Sequence, residues 1–381
     1  MRVTEKLVAA SLLVLVAGCS SLNPFAKKDP KVEPAPLVEL KSSLAVRDAW
    51  KYSIGKSGVY AFSPALSGSS LYVVSADGAL ARLDAATGRE TWRVKAGSDI
   101  TSSAGTDGSI VAVGGAKGTV LAFDADGKPL WTYQASSEVL TAPVVSQGIV
   151  AVRSVDNRIV GIDAKTGERK WVVQRATPAL TLRNAPGMVV GGANLYVAQP
   201  GGKLMALTTA TGVVRWENVV SEPRGATELE RVSDIAGAPV VFENEVCTVT
   251  YQGKAGCFDA ATGVPRWTKP YSSDVGVAVD QRFVFAVDEQ GAVTAFSREA
   301  GQSAWKNDGL ARRRVSTPAS FGRSVAVGDY QGYIHFLSRE DGAFIGRVST
   351  DGSPIVSAPV VAGSNLIFQT QSGTVTALAV E

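Results

Sequence analysis

The sequence predicts an all-β fold, an eight-bladed β-propeller of four-stranded antiparallel blades. Three observations predict it: evenly spaced tryptophans, a set of glycine turns that recurs with them, and a chain that begins and ends part-way through a repeat. Units spaced about 40 residues apart are too small to bury a core alone, so each must pack against its neighbours. The tryptophans that mark the repeat are Trp50, Trp92, Trp131, Trp171, Trp216, Trp267 and Trp305.

The repeat that contains Trp171 shows four short strands bounded by turn residues. Residues 142–145 open it, and apolar strands at 149–152 and 159–162 follow on either side of a hairpin turn. A Lys-Thr-Gly turn at 165–167 then leads into the strand with Trp171. Glycine permits the positive φ that tight hairpins need. The central hairpin carries a glycine in seven repeats: Gly78, Gly118, Gly202, Gly253, Gly291, Gly332 and Gly373.

The two ends of the chain complete one another. An orphan fourth strand lies around Trp50, and the last repeat has only three strands, near 355–362, 365–370 and 374–380. Pairing the orphan with the last repeat makes an eighth blade, closes the ring and removes exposed sheet edges. We therefore predict a propeller over residues 46–381, closed by the N-terminal strand that joins the C-terminal blade. The eighth tryptophan slot is occupied by Gly346.

The N-terminus has the order of a bacterial lipoprotein signal. Arg2 and Lys6 precede an apolar run at 7–17, and Val16-Ala17-Gly18-Cys19 follows. This segment resembles the lipobox, where the signal is cut before the cysteine. The resemblance implies a signal peptide at 1–18 and a lipid on Cys19, with an ordinary secretion signal as the alternative.

The chain between the predicted lipid and the propeller predicts a tether. Residues 19–45 contain four prolines among polar residues, a composition that favours an extended, flexible linker. Ser20 follows the cysteine, and in lipoproteins of this type an aspartate there would imply inner-membrane retention. We therefore expect a protein held by lipid at the periplasmic face of the outer membrane.

Composition and residue inventory argue against several classes of function. Lys and Arg number 38 against 35 Asp and Glu, which is no electrostatic footprint for nucleic acid. The single histidine, His335, excludes a multi-histidine metal site, and we interpret it as a partly buried structural residue. The Arg312-Arg313-Arg314 run is interpreted as a solvated loop. We expect no catalytic residue, no metal site and no cofactor.

Cys247 and Cys257 flank the central hairpin of the fifth repeat. A three-residue loop at 251–253 with Gly253 left-handed would place them directly opposite, whereas a two-residue turn would place them on opposite faces of the sheet. The first geometry allows a structural disulfide, which the periplasm permits. Both alternatives remain open at this point.

Two adjacent repeats are longer than the others. The excess residues lie near 173–187 and 218–237, each after a tryptophan strand and before the next repeat. In a propeller such connections share one face, so the two loops should project side by side. Apolar residues next to charges on these loops are typical of a protein-binding surface. The alternative is that Leu180 and Leu182 fold back under the ring.

The recurring Asp-x-x-Thr-Gly-x-x-x-Trp pattern resembles the blades of pyrroloquinoline-quinone-type propellers over residues 46–381. In that group the tryptophan docks between neighbouring blades. The resemblance raises a second possibility for function, a periplasmic quinoprotein-type dehydrogenase or ligand-binding propeller. Quinone dehydrogenases of this fold often carry a vicinal cysteine pair, and this sequence has none. Asp84, Asp124, Asp163 and Asp259 all fill one slot of the repeat, which is typical of turn formers rather than catalysts.

The lipobox, the tether, the eight blades, Leu-x-Leu-Arg at 180–183 and Thr-Glu-Leu-Glu-Arg-Val-Ser-Asp at 227–234 together resemble the BamB family of the outer-membrane β-barrel assembly (BAM) complex. The resemblance implies a non-enzymatic scaffold that binds the periplasmic POTRA domains of BamA and supports insertion of barrel proteins. Contact with nascent outer membrane proteins is a further hypothesis.

The resemblance also implies a contact set. Carried over by motif, Leu180, Leu182, Arg183 and Asp234 should face BamA. Family members often carry a second acidic residue two positions after the aspartate. This chain has Ala236 there, which implies a smaller acidic contribution.

Overall fold

Eight four-stranded antiparallel sheets make up the structure, a computed structural model that describes residues 33–182 and 186–380. All of them lie in the unit that begins at Ala35. The sheets confirm the predicted eight-bladed propeller. The described residues include one turn of 3-10 helix, Ala116–Gly118, and no helix in these ranges is long and apolar enough to cross a membrane.

The blades follow one another in chain order. Blades one to four contain β2 (Ala65–Ser67), β3 (Ser70–Val74), β4 (Ala79–Asp84) and β5 (Glu90–Lys95); β6 (Gly105–Thr106), β7 (Ile110–Gly114), β8 (Thr119–Asp124) and β9 (Pro129–Gln134); β10 (Val144–Ser146), β11 (Ile149–Arg153), β12 (Arg158–Asp163) and β13 (Arg169–Gln174); β14 (Met188–Gly191), β15 (Asn194–Gln199), β16 (Lys203–Thr208) and β17 (Val214–Val219).

Blades five to seven have the same order, and blade eight is composite. They contain β18 (Ile235–Phe242), β19 (Glu245–Thr250), β20 (Lys254–Asp259) and β21 (Pro265–Pro270); β22 (Ala278–Val279), β23 (Phe283–Val287), β24 (Val293–Ser297) and β25 (Ser303–Asn307); β26 (Ala319–Phe321), β27 (Ser324–Gly328), β28 (Tyr333–Ser338) and β29 (Phe344–Ser349); β30 (Val360–Ala362), β31 (Asn365–Gln369), β32 (Thr374–Val380) and β1 (Val46–Ser53).

The ring closes where the sequence predicts. β1 pairs antiparallel with β32, from Val46 opposite Val380 to Ser53 opposite Thr374. The first strand of each blade contacts the first strand of the next, including β30 with β2. The second strands are buried along most of their length, whereas most residues of the fourth strands are exposed or half-buried. The core therefore lies between neighbouring blades rather than within any one of them.

Every tryptophan pins its blade to the next one. The indole Nε1 donates to a backbone carbonyl that follows the repeated aspartate slot of the next blade, and the ring packs on the glycine in the turn between that blade's third and fourth strands. A Cβ on Gly88, for example, would lie 2.5 Å from Trp50 Cδ2. The seven acceptors are Ala85 for Trp50 (3.1 Å), Ala125 for Trp92 (2.9 Å), Ala164 for Trp131 (2.9 Å), Thr209 for Trp171 (3.1 Å), Ala260 for Trp216 (3.2 Å), Arg298 for Trp267 (2.7 Å) and Arg339 for Trp305 (2.9 Å).

The exception at Gly346 has a topological reason. A tryptophan there would need the turn between the third and fourth strands of blade eight, but these strands, β32 and β1, belong to opposite ends of the chain. Leu44 packs at this position instead and is only 4% exposed. Its Cβ lies 3.5 Å from where a Cβ on Gly346 would be.

The chain before β1 differs from the predicted free tether. The amides of Ser43 and Leu44 both donate to the carbonyl of Ile345 at 3.0 Å. Hydrogen bonds to blade seven and to the connection that precedes it continue back to Ala35. The packed body therefore begins about ten residues before the expected boundary at Val46. Cys19 and the signal segment 1–18 lie outside the described residues.

Candidate functional site

The two long connections lie side by side, as the repeat lengths predict. The first insertion loop, residues 175–187, joins β13 to β14, and the second insertion loop, residues 220–234, joins β17 to β18. Both run from the fourth strand of one blade to the first strand of the next, so they share one face. The Leu182 amide of the first loop donates to Asp234 Oδ2 at the end of the second, at 2.6 Å.

Asp234 is placed beneath the loops rather than on their surface. It is 2% exposed, and its second oxygen, Oδ1, accepts from the Gly201 amide at 2.8 Å. A carboxylate withdrawn from water needs such donors, and hydrogen bonds to a charged acceptor are among the strong ones. The residue expected to face the partner therefore fastens the first insertion loop to the central hairpin of blade four and the start of blade five.

Arg153 is a second buried charge at this site, and sequence reasoning missed it. It ends β11 at 5% exposure, and its Nη1 donates to the carbonyls of Ala198 (2.7 Å) and Pro186 (3.2 Å). Burial lowers the pKa of Arg153 to about 10, although the charge of Asp234 raises it. The sequence could have marked Arg153, because no other blade has a charged residue in this slot. The other blades have small, apolar or amide residues there: Val74, Gly114, Ala198, Val249, Val287, Gly328 and Gln369.

A cavity of about 410 Å³ opens between these groups. Its wall combines apolar side chains with the two buried charges and includes Leu140, Arg153, Val155, Leu182, Pro200 and Asp234. Leu180 is 43% exposed, so it does not fold back under the ring, whereas Leu182 is half-buried. Val155 is also exposed beside the cavity. Arg183 lies outside the described residues.

The second insertion loop is ordered by its own hydrogen bonds. Glu230 Oε2 accepts from the amides of Ala226 (2.7 Å) and Thr227 (3.1 Å), and Thr227 Oγ1 accepts from the Glu230 amide at 3.3 Å. This reciprocal pattern is that of a capping box. The backbone donors, Thr227 first, hold the pKa of Glu230 below its usual range. The turn leaves Leu229 prominently exposed while Val232 is buried.

Cys247 and Cys257 lie directly opposite one another on β19 and β20, with Cα atoms 4.1 Å apart and a disulfide between them. A three-residue connection at 251–253 produces this register, but the left-handed residue is Gln252 at φ 48°, not Gly253. Gly253 is required for space, since a Cβ there would lie 2.2 Å from Thr250 Oγ1.

The bridged cysteines and Glu245 are the one cluster of possible metal ligands found in the part of the chain that the structure describes. The sulfurs are committed to each other, and Glu245 is paired with Arg298 at 3.1 Å and Arg266 at 3.5 Å. This arrangement is a structural cross-link between two strands and offers no free ligand set.

Blade seven corrects two interpretations of the sequence. Arg313 is 2% exposed, not part of a solvated loop, and its Nε donates to Asp329 Oδ2 at 2.7 Å. His335 is fully rather than partly buried, with Nε2 2.9 Å from the same oxygen, while Nδ1 accepts from Arg347 Nε at 3.3 Å. Both ring nitrogens of the neutral imidazole therefore have a hydrogen-bond partner. Arg313 is buried because it pairs with Asp329, and the composition of the sequence does not reveal this pairing.

Burial lowers the pKa of His335 below its ordinary value, against the opposing effect of its hydrogen bond to Asp329. Burial alone would raise the pKa of Asp329, but the hydrogen bonds from His335 and the Tyr333 amide bring it below its usual range. The network therefore holds an ionised Asp329 between a neutral histidine and Arg313.

Comparison with known proteins gives concordant matches. The family model described as outer membrane protein assembly factor BamB matches residues 47–106 and 76–307. The outer membrane protein assembly factor BamB of Burkholderia pseudomallei is 43% identical over 98% of this chain and 97% of its own length.

Solved structures show the same fold. The crystal structure of BamB from Moraxella catarrhalis superposes with a TM-score of 0.81 at 24% identity, covering 88% of this chain and all of that one. Quinohemoprotein alcohol dehydrogenase from Comamonas testosteroni gives a TM-score of 0.68 at 14% identity, covering 88% of this chain and 76% of its own.

Proposed function

The chain belongs to the BamB family of outer membrane protein assembly factors, and on this basis we propose that it is a non-enzymatic scaffold of the BAM complex. Its role is to bind the periplasmic POTRA domains of BamA and so support the folding and insertion of outer membrane proteins. The likeness to quinohemoprotein dehydrogenase concerns the fold alone and carries no activity.

One observation supports the insertion loops as the BamA-binding surface. A buried carboxylate fastens two loops that no repeat geometry requires, and the result is an exposed Leu180 beside an apolar-lined cavity. Exposed apolar groups next to a pocket, with polar groups around them, are the usual composition of a protein-binding surface. A loop ordered before binding also loses less conformational entropy when the partner arrives.

The predicted contact residues divide into two roles. Leu180 is exposed, and Leu182 lines the cavity, so these two supply apolar contact. Asp234 acts as a positioning residue through the backbone of Leu182 and Gly201. Arg183 retains its assignment as a contact residue from the resemblance alone.

The anchoring and client parts of the proposal rest on the N-terminal sequence and the family. Cleavage before Cys19 and lipidation of that residue would hold the body at the periplasmic face of the outer membrane. Nascent outer membrane proteins near BamA are a further proposed partner.

Co-purification with the BamA POTRA domains tests the proposal. Leu180→Glu places a charge on the proposed surface and should reduce recovery of the POTRA domains at least tenfold. Leu130→Glu is the matched control, because Leu130 is 42% exposed against 43% for Leu180 but lies on the outer strand of blade two. Equal recovery with both variants would refute the site. A calcium-dependent dehydrogenase activity, or the absorbance of a bound quinone, would refute the scaffold.

A further inference from the structure

Residues 35–44, called the strap below, lie along the outer strand of blade seven. At one end, Arg313 Nη1 donates to the Ala35 carbonyl at 2.9 Å. In the middle, Arg347 Nη1 donates to the Val38 carbonyl at 3.1 Å. At the other end, the Ser43 and Leu44 amides share the carbonyl of Ile345. The strap is therefore bound along its length, by side-chain donors first and by β29 last.

The donors that hold the strap are themselves fixed. Arg313 and Asp329 form an ion pair withdrawn from water, and Arg313 Nη2 donates to Gln331 Oε1 at 2.6 Å. A buried guanidinium is costly unless its donors are met. The Ala35 carbonyl is the acceptor for Nη1, so the strap completes the hydrogen bonding of the buried network as much as the network holds the strap.

The far end of the strap fills a vacancy in the repeat. Gly346 stands where seven other blades have a tryptophan, and Leu44 packs against it with Phe336 alongside. The same cluster includes Leu366 and Leu378 of blade eight, so Leu44 lies between the two blades. It takes the place of the indole that pins each other blade to the next.

We propose that the outer face of blade seven is a binding site for residues 35–44 of its own chain. The bound strap pins blade seven to blade eight and makes Ala35, not Val46, the point where the preceding chain leaves the propeller. The Ala35 amide donates to Ala311 in the connection from β25 to β26 at 2.8 Å. That connection is of the same class as the insertion loops, so the chain leaves on the face that carries them.

The strap shortens the tether to the membrane anchor. This consequence rests on the proposed lipidation of Cys19. A tether that ended at Val46 could reach about 95 Å when fully extended, whereas one that ends at Ala35 reaches about 55 Å. Docking of the strap would therefore limit how far the insertion loops can move from the membrane, and release of the strap would lengthen the tether.

Hydrogen exchange on the full chain tests the strap without any partner or lipid, so its result is independent of the proposed function. Arg347→Met removes the central donor to the strap and also the donor to His335 Nδ1. Leu44→Asn weakens the apolar end of the strap and keeps all the hydrogen-bond partners of the Arg313–Asp329–His335 network. Lys306→Met is the matched control, because Lys306 follows Trp305 just as Arg347 follows Gly346 but bonds to Asp288 instead.

The amides of Ala35, Ser43 and Leu44, which donate to the carbonyls of Ala311 and Ile345, should be protected in the wild type and in Lys306→Met. They should exchange at least tenfold faster in Arg347→Met and in Leu44→Asn, while β27 and β28 stay protected in all four proteins. Exchange of these three amides at the unprotected rate in the wild type would overturn the proposal. So would protection that survives in both variants.

Discussion

The insertion loops of blades three to five and the strap on blade seven are held to the propeller in similar ways, but they place their leucines differently. Each is an irregular segment fastened to the propeller by a buried charge. Asp234 accepts from the backbone of Leu182, and Arg313 donates to the backbone of Ala35. At the insertion loops the result is an exposed leucine, Leu180, whereas the strap ends in a buried one, Leu44.

The difference shows what each buried charge is for. The strap closes a seam of the ring, so its apolar end is used internally. The insertion loops close nothing, since blades three to five already have their tryptophan pins. Their fastening orders a surface whose apolar groups remain available to a partner. The comparison can be tested by substitutions that should separate stability from binding.

Asp329→Asn should give the largest loss of stability. It leaves the guanidinium of Arg313 buried without a counter-charge, and breaking a buried pair in this way costs about 3–5 kcal/mol. The free energy of unfolding from urea titration is the measurement. A loss below about 1 kcal/mol would mean that water or another acceptor reaches Arg313.

The two leucines provide a matched pair. Leu44→Ala should cost about 2–4 kcal/mol because it leaves a cavity between blades seven and eight. Leu180→Ala should change the free energy of unfolding by less than about 0.5 kcal/mol, as exposed positions usually do. The same urea titrations measure both variants. Equal losses in the free energy of unfolding would contradict the distinction between the buried Leu44 and the exposed Leu180.

Asp234→Ala should have an intermediate effect on stability and a large one on binding. The part-buried amides of Leu182 and Gly201 lose their acceptor, which costs about 1–3 kcal/mol. The first insertion loop should then exchange its amide hydrogens faster, and affinity for the BamA POTRA domains should fall although Asp234 is itself buried. Unchanged exchange at Leu182 together with unchanged affinity would contradict the positioning role.

Acid should weaken the blade-seven network in a predictable direction. The pKa of His335 is lowered in the folded protein, so as pH falls below the ordinary value of 6.5 the unfolded chain takes up a proton that the folded chain refuses. The stability that neutral His335 contributes above pH 6.5 is therefore lost as the pH falls below it. His335→Gln should show a smaller loss between neutral and mildly acidic pH in thermal melts. An identical loss in both proteins would place the acid sensitivity elsewhere.

Features that repeat could be predicted from the sequence. The tryptophan spacing predicted the repeat, and the orphan first strand with the three-stranded last repeat predicted the eighth blade and the ring closure. The two stretched gaps located the adjacent insertion loops. Features set by a single distant partner could not. Arg313 reads as a solvated residue until Asp329 is folded against it, and the proline-containing composition of residues 19–45 is equally compatible with a free tether and with a docked strap.

The predicted contact set shows the same limit. Its location was predicted, but the direction of the Asp234 side chain was not, because its partners are amides of Leu182 and Gly201 that no local pattern marks.

Hydrogen exchange of the full chain with and without the BamA POTRA domains tests most directly the proposed binding of BamA by the insertion loops. Added POTRA domains should slow exchange in residues 175–182 and 220–234 and around Val155, and leave the strap and the Thr-Gly turns of the opposite face unchanged. Slowed exchange on that opposite face, with the insertion loops unaffected, would contradict the account.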